Sequence, residues 1–154
     1  MAEEKSFEER VRAVEFDNAQ GQRLTGDQLA AMQPGLARLM PEIGDRVWKL
    51  YHAAQAKNWP LAMFQLKEAR KLMELGALTR PKYQKSLAQY VAGQIEPMMA
   101  ALQAEDLERF NREFDVAVEE ANAYHEAYGK PFLRWKVPSQ PPPDLDLTPR
   151  PKAK

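Results

Sequence analysis

Apolar residues recur at alternating spacings of three and four positions along four stretches of this chain, which is the spacing of a helix that packs through one face. The clearest stretch lies between Asp106 and Tyr128, and a second follows Pro34 and Gly35. The predicted core positions of these two helices are Leu107, Phe110, Phe114, Ala117, Ala121, Tyr124 and Tyr128 in the first, and Leu36, Met40, Ile43, Val47, Leu50 and Ala54 in the second.

Two further helices are predicted between them. One runs from about Pro60 to Leu75 and is ended by Gly76, and the other begins at Pro81. Four apolar-striped helices with short connections predict an all-α fold, an antiparallel up-down four-helix bundle. No stretch alternates apolar and polar residues as a half-buried strand would. The predicted core residues of these two helices are Ala62, Leu66, Ala69 and Met73, then Leu87, Val91, Ile95, Met98 and Leu102.

Proline and glycine set the limits of the bundle, which is predicted to span residues 34–129. Residues 1–33 are polar and weakly patterned, and we expect them to add a short N-terminal helical extension. Residues 130–154 hold too many prolines for a helix or a central strand, and we expect an extended Pro-rich arm. Within it, residues 131–138 should lie against the bundle and the last dozen residues should be disordered. Pro41 should kink or split the first long helix.

The charge balance narrows the classes of partner. The chain carries 22 basic and 22 acidic side chains, whereas binding to nucleic acid or to an anionic membrane usually needs a clear positive excess. There is no cysteine, which excludes disulfides, thiolate nucleophiles and covalently attached haem. The N-terminal residues lack the apolar core of a secretory signal, and no run of about 18 apolar residues predicts a membrane span. A soluble, cytoplasmic protein is therefore expected.

The end of the fourth predicted helix carries a family resemblance. Residues 121–125 read Ala-Asn-Ala-Tyr-His. A family of small bacterial helical proteins related to c-type cytochromes has Cys-Asn-x-Cys-His there, the motif that attaches haem. The asparagine and the histidine match, but both cysteines are absent. Other matching residues, in consistent order across 34–143, are Pro34-Gly35-Leu36, Lys49-Leu50, Ala53, Asn58-Trp59, Leu61-Ala62, Glu68, Asp106 and Phe110.

The chain thus resembles a degenerate member of this c-type cytochrome-like family. A histidine that often precedes the Lys-Leu pair in the family is replaced by Val47. The resemblance implies a cytochrome c′-like bundle that has lost its covalent haem. Because members of the family often pair through their helices, it also implies a possible homodimer.

The face that has lost its haem supplies the candidate site. Ala121 and Tyr124 stand where the two cysteines would be, and a tyrosine ring is large enough to fill part of a vacated pocket. The same aromatic residues have a plainer interpretation as core, with the histidine on the flank of the bundle. The tentative ligand-binding residues are Tyr124, His125, Ala121, Val47, Tyr51 and Phe114.

No nucleophile–base pair, Gly-rich phosphate loop or metal-ligand motif is visible, so we predict no enzymatic activity, no metal and no cofactor. The predicted function is that of a haem-free binding or accessory protein, which holds a small apolar ligand or a protein partner. The alternative is a cytoplasmic redox or gas-sensing protein that binds haem without covalent bonds, with His125 as the axial ligand of the iron.

Overall fold

The structure, a computed structural model, describes residues 6–151. The chain divides into two compact units, which meet in sequence between Pro34 and Gly35. Helices dominate both units, which confirms the predicted helical class. None of the helices within the described range is both long enough and apolar enough to cross a membrane.

The first unit contains two short helices and a hairpin. Its elements in chain order are α1 (Phe7–Arg12), β1 (Glu15–Asp17), β2 (Arg23–Thr25) and α2 (Gly26–Met32), with β1 and β2 antiparallel. The prediction that the chain has no strand was wrong. The Asn18 side chain accepts hydrogen bonds from the backbone N–H groups of Gln20 and Gln22, and Gly21 adopts a φ of 74°. This turn chemistry closes a hairpin whose strands are too short to show alternation.

The second unit is built from long helices around one core. Its elements are α3 (Leu36–Gln55), α4 (Trp59–Thr79), α5 (Gln84–Tyr90), α6 (Glu96–Gln103) and α7 (Leu107–Ala127). A π-helical turn over Val91–Ile95 joins α5 to α6, so the two form one helical segment. Helix α3 packs on α4, α4 on α5 and α6, both of these on α7, and α7 on α3.

The core of this unit agrees with the apolar stripes of the later helices, whereas in α3 only Ile43, Leu50 and Ala54 of the six predicted core residues are buried. All four predicted core residues of α4 are buried, as are four of the five predicted for the α5–α6 segment. In α7 the agreement holds as far as Ala117, after which the buried residue is Asn122 and neither Ala121 nor Tyr124 is fully buried. The largest fully buried side chains are Phe110, Phe114, Leu50, Leu66, Ile95 and Leu102.

Two expected helix breaks are absent. Pro41 lies inside α3, which runs through it without splitting. The residue is in the second turn, where proline removes one hydrogen bond of the helix. Gly76 lies inside α4 and is buried. The position has no room for a larger residue unless Leu36 moves, because a β-carbon there would stand 2.7 Å from Leu36 Cδ2. This glycine therefore permits close packing between two helices and does not end one.

Residues 130–151, called the C-terminal segment below, follow α7 and form neither helix nor strand. Helix α7 ends at Ala127, and Gly129 two residues later has a φ of 73°, the left-handed conformation that commonly follows a helix end. The N–H of Lys130 donates to the carbonyl of His125 in the same motif. Disorder was expected for the last dozen residues, of which 143–151 are described and make the contacts reported below. Residues 152–154 lie outside the described range.

Candidate functional site

Side chains from α3, α7 and the connection after α3 bond to the main chain of the C-terminal segment. We call these five the clamp residues. They reach backbone atoms of Leu133, Trp135, Pro138, Gln140, Leu147 and Thr148, so the segment is held along most of its length. The clamp residues are Trp48 and His52 of α3, Asn58, and Asn122 and His125 of α7.

Asn122 makes the most complete contact. Its Nδ2 donates to the carbonyl oxygen of Trp135 at 2.9 Å, and its Oδ1 accepts from the N–H of Trp135 at 2.8 Å. The carboxamide of Asn122 thus forms the two hydrogen bonds that the backbone of a neighbouring β-strand would form with Trp135. Asn122 is buried, and a buried polar side chain is stable only when its bonds are made. The helix and the segment therefore depend on each other at this point.

The two histidines bind carbonyl groups on either side of Trp135. His125 lies 2.8 Å from the Leu133 carbonyl oxygen through Nδ1, and His52 lies 2.9 Å from that of Pro138 through Nε2. A carbonyl oxygen only accepts hydrogen bonds, so each of these nitrogens must carry a proton. In the neutral state His125 is therefore the Nδ1–H tautomer and His52 the Nε2–H tautomer.

Two residues fix the remainder of the segment. The indole Nε1–H of Trp48 donates to the carbonyl of Gln140 at 2.8 Å. Asn58 Nδ2 lies 3.2 Å from the carbonyl oxygen of Leu147, while its Oδ1 accepts from the N–H of Leu61 and caps α4. The cap of one helix and the anchor of the segment are thus the same side chain.

Charges add to the attachment. Lys49 Nζ lies 2.9 Å from Asp144 Oδ2 and 3.0 Å from Asp45 Oδ2. The hydrogen bonds to these carboxylates raise the pKa of Lys49, and the bond from Lys49 lowers the pKa of Asp144. Nearer α7, Arg134 pairs with Glu126 at 2.8 Å. The Arg134–Glu126 pair is exposed, and Asp144 is exposed in the other pair, so each contributes little by itself.

The apolar side of the segment packs on the helices. Trp135, Val137 and Leu147 contact the core cluster, and Pro142 is buried. Trp135 lies against Gly44 of α3, where a β-carbon would stand 3.1 Å from the indole nitrogen. Residues at the start of the segment therefore contact α3 and α7 at the same time.

The six predicted site residues lie on α3 and α7 and make different contacts. Phe114 is buried, with its ring centroid 5.0 Å from that of Tyr51. Tyr124 lies 6.3 Å from the ring of Tyr90 on α5, whereas His125, its neighbour in the chain, bonds to the C-terminal segment. Val47 is half-buried against the core, and Ala121 is also half-buried.

An open depression of about 450 Å³ lies elsewhere on this unit. It is formed where the connection between α3 and α4 approaches the connection between α6 and α7. Lys57 and Glu105 line it, and both have positive φ values, 57° and 54°. Its other lining residues are Trp59, Pro60, Leu102, Gln103, Pro149 and Arg150, so none of the six predicted site residues belongs to it.

The clamp was hardly predictable from the residue pattern. Asn122 and His125 belong to residues 121–125, which carry the family resemblance. There they were noted because they match the family motif, and not because they bind the C-terminal segment. The apolar pattern does not single out Trp48 or His52, and Asn58 enters only as part of the Asn58-Trp59 match. The clamp residues bond to main-chain atoms of a proline-rich segment that has no periodicity. Contacts of this kind between distant parts of the chain cannot be predicted from the spacing of apolar residues.

Across residues 6–151, no group of three or more histidine, cysteine, aspartate or glutamate side chains is placed to hold a metal ion. Comparisons with protein-family models, with curated proteins and with solved structures found no match to this chain. The cytochrome-like resemblance therefore stays a prediction.

Proposed function

We propose that the second unit is an antiparallel four-helix bundle that acts as a binding or accessory protein, and that it binds an extended polypeptide through the α3/α7 face. This face is defined by the five clamp residues together with Gly44 and Lys49. The observation that carries the proposal is the set of hydrogen bonds from the clamp residues to main-chain atoms of the C-terminal segment. The packing of α3 on α4 and α7, with the α5–α6 segment opposite, supports the bundle topology.

Main-chain recognition favours a polypeptide as the occupant. Four of the clamp residues donate to carbonyl oxygens alone, and Asn122 pairs with both the N–H and the carbonyl of one residue. A repeated pattern of donors aimed at peptide groups is the way proteins hold extended segments, with side-chain contacts adding selectivity. Here Trp135 and Val137 supply those contacts.

The small-ligand version of the function has less support. Phe114 and Phe110 are buried and in ring contact, with centroids 5.6 Å apart. Tyr51 covers Phe114, and Tyr124 packs toward Tyr90. Three of the six predicted site residues, Phe114, Tyr51 and Tyr124, thus pack against other aromatic side chains.

A cleavable connection tests the proposal. A protease recognition sequence inserted after Gly129 allows the chain to fold first and to be cut afterwards. The released fragment should then stay bound to the helices during size-exclusion chromatography and should exchange with a fluorescent peptide of residues 130–151. Loss of the fragment from a body that keeps its helical circular dichroism would contradict the proposal.

Two variants give the matched control. Asn122→Ala in the cleavable chain should release the fragment, because it removes both bonds to Trp135. Asn111→Ala should not, since Asn111 is also on α7 but bonds to Gln55 of α3. Release by both variants to the same extent would mean that helix stability, and not the clamp, retains the fragment.

Non-covalent haem binding remains a second candidate because of one observation. With its proton on Nδ1, neutral His125 keeps a free electron pair on Nε2, the arrangement found in metal-binding histidines. The chain does not fit covalently held haem, because Ala121 and Tyr124 replace the two thiols. Titration with hemin decides between the candidates: a Soret band lost in His125→Ala but kept in His52→Ala would favour haem.

A further inference from the structure

We propose that two copies of this chain exchange their C-terminal segments, so that the segment of each copy occupies the α3/α7 face of the other. This inference rests on the proposed function, because it uses the same face and the same clamp. The inference names the polypeptide that binds to the face. A second copy of the chain supplies a C-terminal segment identical to the one that already fits the face. The closed chain and the exchanged pair would contain the same contacts along the segment.

The chain has a short connection suited to such an exchange. Helix α7 is closed at Gly129, and Pro131 prevents the helix from continuing. A single turn, in which the N–H of Leu133 donates to the carbonyl of Lys130 at 3.0 Å, then directs the segment back over its own helices. Opening this turn costs one backbone hydrogen bond and leaves α7 intact. Short connections of this kind are where identical elements are exchanged between protomers.

Exposed apolar side chains lie at this connection. Phe132 is 78% exposed and Leu133 is 46% exposed, at the start of a segment whose Trp135 and Val137 are half-buried. In the closed chain much of the apolar surface of these two side chains stays in contact with water. In an exchanged pair the two connections cross near the two-fold axis, which brings the two copies of Phe132 together. Their burial supplies a stabilisation that the closed chain does not have.

The clamp does not distinguish its own segment from that of another copy. Its hydrogen bonds go to main-chain atoms, and the Lys49–Asp144 pair is formed equally well within a chain or between chains. The covalent connection opposes the exchange, because it holds each chain's own segment near the face at an effective concentration on the order of 1 mM. The exchanged pair should therefore become populated as the protein concentration approaches that value.

Cross-linking of the full-length chain tests the exchange. The natural chain has no cysteine, so engineered thiols react without background. Asp45 and Asp144 both bond to Lys49 Nζ and lie on opposite sides of the contact, outside the clamp. A mixture of the Asp45→Cys and Asp144→Cys chains, incubated at increasing concentration with a short thiol cross-linker, should give a covalent heterodimer. Its yield should rise at least tenfold between about 10 µM and about 1 mM.

Two further chains give the controls. The double variant Asp45→Cys/Asp144→Cys should cross-link within one chain at low concentration. Deleting Lys130 and Pro131 from the mixed pair shortens the connection, so the heterodimer should form at least tenfold more readily at the same concentration.

The outcomes separate this inference from the proposed function. If the double variant cross-links internally but the mixture stays monomeric at about 1 mM, the exchange is wrong and the α3/α7 face stands. If the double variant fails to cross-link, the segment does not lie on that face, and both proposals fall. If Asp45→Cys alone gives as much dimer as the mixture, copies associate through another surface and the exchange is wrong.

Discussion

Replacing Asn122 by alanine should release the start of the C-terminal segment from α7. The substitution removes two hydrogen bonds and leaves the N–H and the carbonyl of Trp135 without their partners. An unpaired, partly buried backbone group costs about 1–3 kcal/mol, and Trp135 is only half-buried, so water compensates in part. We therefore expect about 2–4 kcal/mol of lost attachment free energy.

Limited trypsin digestion measures that loss, because Arg134 and Lys136 flank Trp135. When opening is fast relative to cleavage, the rate follows the equilibrium population of the open form. A loss of 2–4 kcal/mol then corresponds to roughly 30- to 700-fold faster cleavage at these two residues, since 1.4 kcal/mol is a factor of ten. Asn111→Ala, on the same helix, should leave the cleavage rate within about threefold of the natural chain.

A second variant separates the donor from the acceptor. Asn122→Asp keeps an oxygen for the N–H of Trp135 but places a carboxylate beside the Trp135 carbonyl. Cleavage should be fast near pH 7. As acid protonates the carboxylate and restores a donor, the Trp135 amide should regain its protection against hydrogen exchange, which is measured because trypsin itself loses activity in acid. If Asn122→Ala and Asn122→Asp both leave cleavage unchanged near pH 7, Asn122 does not hold the segment and the reasoning is refuted.

Three further changes test other parts of the structure. Asp144 has a lowered folded-state pKa because of Lys49, so its contribution is present above the unfolded pKa and is lost as pH falls through the folded value. The protection factor of the Asp144 amide, which is the exchange rate relative to a free peptide at the same pH, should fall in that acidic window, and less so in Asp144→Asn. Lys57 occupies the left-handed position after α3, so Lys57→Gly should raise the free energy of unfolding in urea by about 0.5–1 kcal/mol, whereas Lys57→Ala should not. Leu50 is fully buried, and Leu50→Ala should lower the same free energy by about 2–5 kcal/mol. The C-terminal segment should stay attached through Trp135 in this variant, because Leu50 is not a clamp residue; release of the segment at low urea would contradict this.

The helices were predictable because their periodicity is a local property. The stripes over α4 and the first two thirds of α7 coincide with buried residues, since these faces meet other helices. The stripe fails at the end of α7, where it favours Ala121 and Tyr124 but the structure buries Asn122. There the C-terminal segment covers a second side of the helix, so burial no longer follows a single face.

The remaining differences have local causes. The hairpin of the first unit depends on the Asn18 side chain and on the positive φ of Gly21, which the apolar pattern does not include. Gly76 was interpreted as a helix end because glycine often is one, whereas here it makes room for Leu36. Both differences depend on local contacts, which cannot be predicted from the spacing of apolar side chains.

Hydrogen exchange of the Trp135 amide tests the central claim most directly. This N–H donates to Asn122 Oδ1 in a segment without helix or strand, so its protection depends on the clamp. The account predicts that it exchanges at least about 30-fold more slowly than in a free peptide of residues 130–151, and that Asn122→Ala removes this protection. Exchange at the free-peptide rate in the natural chain would show that the α3/α7 face does not hold the segment.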